Sequence, residues 1–127
     1  KALKKFNINK ISIFTPYTKE INDSVVKYFE NENVIINSLS YYNIASDLDI
    51  GKVDQDSLFK ALSEIKLDNS DSLFVSCTAL PVLSIIDKLE KKLNKLVLSS
   101  NQTLIWDSLN QIDFKEKIDG FGKLFNK

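Results

Sequence analysis

Hydrophobic and polar positions alternate along this chain in blocks of two kinds, short β-rich runs and longer stretches with helical spacing. Residues 1–9 read as a polar lead-in. Lys10–Thr15 (K-I-S-I-F-T) predicts a first strand, ended by Pro16. Thr18 can cap a helix whose face carries Ile21, Val25, Tyr28 and Phe29 at i, i+4, i+7 and i+8. Asn31-Glu32-Asn33 breaks it, and Val34–Tyr41 predicts a second strand. Tyr42–Val53 is irregular, a loop or a short turn of helix. Asp54 then caps a helix with Leu58, Ala61, Leu62 and Ile65 on one face. After a turn at Asp68–Asp71, Leu73–Cys77 predicts a third strand. Its unbroken apolar run suits a central strand buried on both faces. Val82, Ile85, Ile86, Leu89 and Leu93 predict a further helix, with Pro81 in its first turn. Leu96–Ser99 is the fourth strand, and Ser100 or Asn101 can cap a helix carrying Leu104, Ile105, Leu109 and Ile112.

The tail repeats apolar residues at Phe114, Ile118, Phe121 and Phe125, a helical spacing weakened by Gly120 and Gly122. The division expected is a body over residues 1–112 and a C-terminal helix over 113–127, docked on the body, on another half or on a subunit. Strands alternating with helices imply an α/β, three-layer sandwich around a four-stranded parallel sheet. Right-handed crossovers favour the flavodoxin-like order 2-1-3-4.

Composition narrows the chemistry. The 127 residues carry 17 Lys, no Arg, 17 acidic residues and no His, for a net charge of zero. That balance offers no electrostatic footprint for nucleic acid or an anionic membrane, and no apolar run nears the ~20 residues of a membrane span. Without His there is no Ser-His or Cys-His dyad and no ordinary zinc site, so no metal is expected. Without Arg there is no bidentate anion clamp. The 3 glycines cannot build a dinucleotide or P-loop motif. A single cysteine excludes an internal disulfide framework and fits a reducing cytoplasm. The chain lacks an initiator Met and starts just before its first strand, as a processed or truncated polypeptide would.

In parallel α/β sheets ligands bind at the carboxyl ends of the strands. All four predicted ends are rich in hydroxyls and amides: Thr15-Pro16-Tyr17-Thr18, Ser40-Tyr41-Tyr42-Asn43, Ser76-Cys77-Thr78 and Ser99-Ser100-Asn101-Gln102. Such residues also make ordinary caps and turns. Cys77, the lone cysteine, is expected at a strand-to-helix junction. A helix N-terminus there would favour a thiolate nucleophile or a thiol proton donor, and the N–H groups of Thr78 and Ala79 could hold a carboxylate. The plain alternative for Cys77 is a small buried hydrophobe. Tyr17 follows strand one, which neighbours strand three in the expected order, so its hydroxyl could reach a substrate over Cys77. A packing Tyr is the alternative. Asp47 and Asp49 could coordinate a ligand or simply cap a loop. Trp106 suits packing, and Lys88–Lys95 suits a solvated helix face.

Four blocks occur together in order: T-P-Y at 15–17, D-L-D-I-G-K-V at 47–53, S-C-T-A-L at 76–80 and S-N-Q-T-L-I-W at 100–106. Over about residues 8–112 the chain thereby resembles the C-terminal half of the maleate cis-trans isomerases and arylmalonate decarboxylases, in the aspartate/glutamate racemase superfamily. The resemblance implies one half of a two-domain fold with the active site between the halves. It implies chemistry with no metal or organic cofactor and a small carboxylate substrate. In the isomerases one cysteine attacks the alkene of maleate, a second acts as acid, and bond rotation leads to fumarate; the decarboxylases keep only the C-terminal cysteine. Cys77 matches that second cysteine. Tyr17 matches a tyrosine that hydrogen-bonds a substrate carboxylate, and Thr78 and Ala79 match the backbone donors after the cysteine. Asp47 stands where the family's D-N-x-x-I-G-type stretch has Asn, and an acid there would repel a dicarboxylate. Pro81 stands where many relatives have Arg.

The resulting expectation is the C-terminal half of a cysteine-based isomerase of a small dicarboxylate, with Cys77 as acid/base or nucleophile. Its partner would be a missing N-terminal half or a second copy, without which turnover is not expected. A decarboxylase or racemase of the same superfamily, or a non-catalytic binding or assembly module, are the alternatives.

Overall fold

The computed structural model describes residues 1–126. The elements in chain order are α1 (Ala2–Lys5), β1 (Lys10–Thr15), α2 (Lys19–Asn31), β2 (Ile35–Tyr41), α3 (Asp47–Ile50), α4 (Gln55–Ser63) and β3 (Ser72–Val75). After them come α5 (Ile86–Leu93), β4 (Leu96–Ser99) and α6 (Ser100–Gln111), with short 3-10 turns at Leu83–Ile85 and Lys123–Asn126. All strand pairs are parallel, and the sheet order is β2-β1-β3-β4.

Strand alternation divides the core into two layers. Phe14, Leu73, Val75 and Val97 face α4 and α5, where Leu58, Leu62, Ile86 and Leu89 meet them. Ile11, Ile13, Phe74 and Leu98 face the other way, toward Ala2, Phe29, Trp106 and Leu124. A central strand buried on both faces must be apolar at successive positions, which is why Leu73-Phe74-Val75 lacks alternation. Fully buried side chains such as Leu58 and Leu89 contribute roughly 1.5–3 kcal/mol each.

Several boundaries follow local chemistry. The Asp54 carboxylate accepts from the Ser57 N–H at 2.8 Å and starts α4, as its sequence position predicts. Asn94 closes α5 in the left-handed region (φ 51°), which Asn tolerates well. Thr18 stands at the N-cap of α2 but makes no side-chain cap bond. Ser99, rather than Ser100 or Asn101, caps α6, in a capping box with Gln102. The lead-in is not merely polar: it forms α1 and buries Ala2 and Ile8.

The helix predicted over 113–127 is absent among the described residues; 113–122 is irregular and only a 3-10 turn follows, while Lys127 lies outside them. The tail nevertheless docks on the body. Leu124 is fully buried, the Phe121 carbonyl accepts from Gln102 Nε2 at 2.6 Å, and the Lys123 N–H donates to Glu90 Oε2 at 2.8 Å. A helix would withdraw these backbone groups from the buried Gln102 and Glu90, leaving both without those partners. No helix among the described residues is long and apolar enough to cross a membrane.

Candidate active site at the carboxyl ends of the strands

β1 and β3 lie side by side, so their ends converge. Past β3 the Ser76 N–H extends the ladder by donating to the Phe14 carbonyl at 2.9 Å. The chain then turns at Cys77, whose φ of 123° is rare for any residue with a Cβ. Backbone strain of this kind costs about 1–3 kcal/mol and gathers at functional sites. Only 5% of Cys77 is exposed.

Cys77 does not sit at the N-terminus of its own helix. The first helical turn after it is the 3-10 turn at Leu83, and α5 begins at Ile86. Pro81 lies before both, so the helix-dipole expectation for the thiol does not hold. The loop is held instead by the start of α6, 23 residues further along the chain. The Cys77 N–H donates to Ser100 Oγ at 3.1 Å, and Asn101 Nδ2 donates to the Thr78 carbonyl at 2.9 Å. The Ala79 N–H points at Cys77 Sγ, 3.3 Å away, so that donor serves the sulfur. Thr78 is exposed beside it.

Tyr17 reaches the same place from β1. Its side chain packs against the cluster that contains Cys77, and its hydroxyl is near enough to Cys77 and Ser76 for both to shift its ionisation. Burial, followed by the Cys77 contact, pushes its pKa up to about 12, against a lowering by Ser76. Tyr17 therefore remains a neutral phenol, able to donate a hydrogen bond, across the physiological range. Asp47, exposed at the start of α3, adds its negative charge in the same raising direction. Tyr42, packed edge-to-face on Phe14 with centroids 4.9 Å apart, is also raised by burial.

Cys77, Tyr17, Thr78 and Ala79 are thus brought together, with Asp47 in electrostatic reach. Sequence reading missed Asn22, fully buried on α2 and bonded to Thr15 and Tyr17. Asn22 shares the helical face of Val25 and Phe29, at i, i+3 and i+7, but as a polar residue it does not register in an apolar period that runs through Ile21 instead. Ser100 and Asn101, expected in the strand-end rim or as helix caps, use their side chains to hold the cysteine loop. Among the described residues no three His, Cys, Asp or Glu side chains gather as metal ligands. The arrangement offers one thiol, one neutral phenol and backbone amides, a set suited to moving a proton or forming a thioether.

A family model for arylmalonate decarboxylase matches residues 1–125. This chain belongs to the arylmalonate decarboxylase family. Among its curated family relatives, maleate isomerase of Alcaligenes faecalis is 24% identical over 126 residues, covering 98% of this chain and 50% of that protein. Arylmalonate decarboxylase of Bordetella bronchiseptica is 22% identical over 129 residues, covering 99% and 54%. Among solved structures, Nocardia farcinica maleate cis-trans isomerase with a covalently bound succinylcysteine intermediate superposes with a TM-score of 0.91 at 22% identity. That match covers 98% of this chain and 51% of that one. A crystal structure of arylmalonate decarboxylase gives 0.86, with 98% and 56% covered. At this identity the structural likeness shows the fold. The chain spans about half the length of the curated relatives it matches.

Proposed function

We propose that this chain is the C-terminal half of a cofactor-independent cysteine isomerase acting on a small dicarboxylate, of the maleate-to-fumarate type. The observation that carries the reading is the Tyr17 side chain packed beside the strained Cys77 past the end of β3. A companion half, on the same polypeptide or in a second copy, supplies the other thiol. That thiolate adds to one alkene carbon while the Cys77 S–H delivers a proton to its neighbour, leaving a single bond free to rotate. Cys77 then takes a proton back as the C–S bond breaks, and the alkene re-forms as the trans isomer. The succinylcysteine in the Nocardia enzyme is the adduct such an addition would form. Tyr17 and the Thr78 N–H bond a substrate carboxylate, the Ala79 N–H being occupied by the sulfur.

The test is to express this chain with whatever its gene encodes upstream of Lys1, supply maleate, and follow the alkene proton signal by NMR. Fumarate should form, and Cys77→Ser should reduce the rate at least about 100-fold, the scale of losing a general acid–base group. Fumarate formation indifferent to Cys77→Ser overturns the reading. One observation favours a second reading, a racemase: the Asp47 carboxylate beside Tyr17 would attract an ammonium group and repel a dianion. Loss of optical rotation from L-aspartate or L-glutamate, with maleate untouched, would select it.

A further inference from the structure

Two fully buried polar side chains hold Tyr17 by its backbone. Thr15 ends β1, Asn22 lies in the first turn of α2, and neither exposes any surface. The Tyr17 N–H donates to Thr15 Oγ1 at 3.2 Å, and the Thr15 hydroxyl donates to Asn22 Oδ1 at 2.5 Å. Asn22 Nδ2 then donates to the Tyr17 carbonyl at 3.2 Å, closing a ring through both ends of one residue. Between them Pro16 fixes its own φ, and its carbonyl accepts from the Ile44 N–H at 2.7 Å. The Thr15 carbonyl accepts from the Tyr42 N–H at 3.1 Å. The turn therefore has no loose peptide from Thr15 to Tyr17.

Satisfying that peptide does not require this ring. Tyr17 is half-buried at the rim, where water can serve its N–H and carbonyl. The core layer on this face of the sheet is built from apolar side chains, Ile11, Ile13, Val25 and Phe29 among them. Placing two polar side chains in it is unfavourable unless each is bonded. What the ring adds is orientation, and only an amide of this length can accept from Thr15 and donate to Tyr17 from one position.

We propose that Asn22, acting through Thr15, is a positioning residue that keeps the Tyr17 hydroxyl on the Cys77 thiol. The proposal rests on the reading that this pair is the reaction centre, and its test needs no turnover. Cys77 is the only cysteine, so the rate of iodoacetamide labelling of the folded chain reports on it alone. Tyr17→Phe removes a hydrogen-bond donor to the reacting thiolate and should lower the rate roughly three- to tenfold, the size of one hydrogen bond. Asn22→Asp, which lacks the donor, and Thr15→Val should lower it similarly, while Thr15→Ser keeps the wild-type rate. The Thr15→Val/Asn22→Leu pair replaces both partners by apolar groups of like shape, a nearly neutral exchange for folding. Combined with Tyr17→Phe it should lower the rate no further.

Effects that multiply in the combined variant overturn the proposal. So do folded Thr15 and Asn22 variants that label at the wild-type rate while Tyr17→Phe labels more slowly. Tyr17→Phe labelling at the wild-type rate overturns the Tyr17–Cys77 pairing, and with it Tyr17's part in the proposed reaction. Non-additive labelling in a protein inert to maleate supports the clamp and overturns only the substrate.

Discussion

Two irregular segments, the loop at 76–82 and the tail at 113–126, solve one problem in different ways. Each needs backbone with positive φ, and each is held by side chains from a distant helix. The tail takes its unusual conformations at Gly120 (φ 88°) and Gly122 (φ 87°), where no Cβ objects, and at Asp113 (φ 56°). The loop takes its own at Cys77, φ 123°, where a Cβ is carried at a cost. Glycine serves where only the path of the chain matters. Cysteine at a glycine-like position implies that its side chain is wanted there more than the strain is avoided.

Exchanging the residues tests this directly. The largest effect is expected in the tail, with Gly122→Ala. An added Cβ would lie 2.6 Å from Ile86 Cγ2 and 3.0 Å from Gln102 Nε2, at a φ that alanine resists. Strain and overpacking together should cost about 2–4 kcal/mol in urea unfolding, with the Cys77 labelling rate of the folded chain unchanged. A neutral Gly122→Ala would mean the tail is not held as described.

Next comes the loop, with Cys77→Gly set against Cys77→Ala. Both remove the sulfur, but only glycine relieves the backbone. Cys77→Gly should be the more stable by about 1 kcal/mol, the reverse of the usual order, as relief of strain outweighs the flexibility of glycine. Urea midpoints decide it, and an alanine variant equal or superior to glycine would dissolve the contrast between the segments.

The smallest effect concerns how the tail is tied. Glu90 is 3% exposed, and its oxygens accept from the Val97 and Lys123 N–H groups at 3.1 and 2.8 Å. Burial raises its pKa, against the lowering by those two bonds, so the folded chain binds that proton more tightly than the unfolded chain. The linked stabilisation is present in acid and is lost as pH rises from the ordinary carboxylate value toward the raised one. The cost of Glu90→Gln should accordingly be larger at acid than at neutral pH, read from paired urea midpoints. A cost that grows toward neutral pH would show the carboxylate form to be the one the fold prefers.

Short-range pattern made much of this fold legible. β1 runs over the span that its β-rich residues and Pro16 mark out, α4 begins after Asp54, and apolar Leu73-Phe74-Val75 lies inside the sheet. The same pattern misled where distant side chains claim the backbone. Phe114, Ile118, Phe121 and Phe125 have helical spacing, yet Gln102 and Glu90 bind Phe121 and Lys123 from 19 and 33 residues away. Ile85 and Ile86 extend the apolar period toward Pro81, yet the helix starts later, and Asn101 holds the Thr78 carbonyl from 23 residues away. On α6, Leu104 and Ile112 have the spacing of a buried face but are 63% and 72% exposed, while Gln102 is buried.

By itself, then, the sequence determined the α/β class, the sheet order and the convergence of Tyr17 with Cys77, because burial period and crossover handedness act through near neighbours and general topology. Tertiary structure alone decided the conformation of the cysteine and the path of the tail. Those depend on which buried donor meets which acceptor, and a hydrogen bond between residues far apart in the chain leaves no periodicity to read.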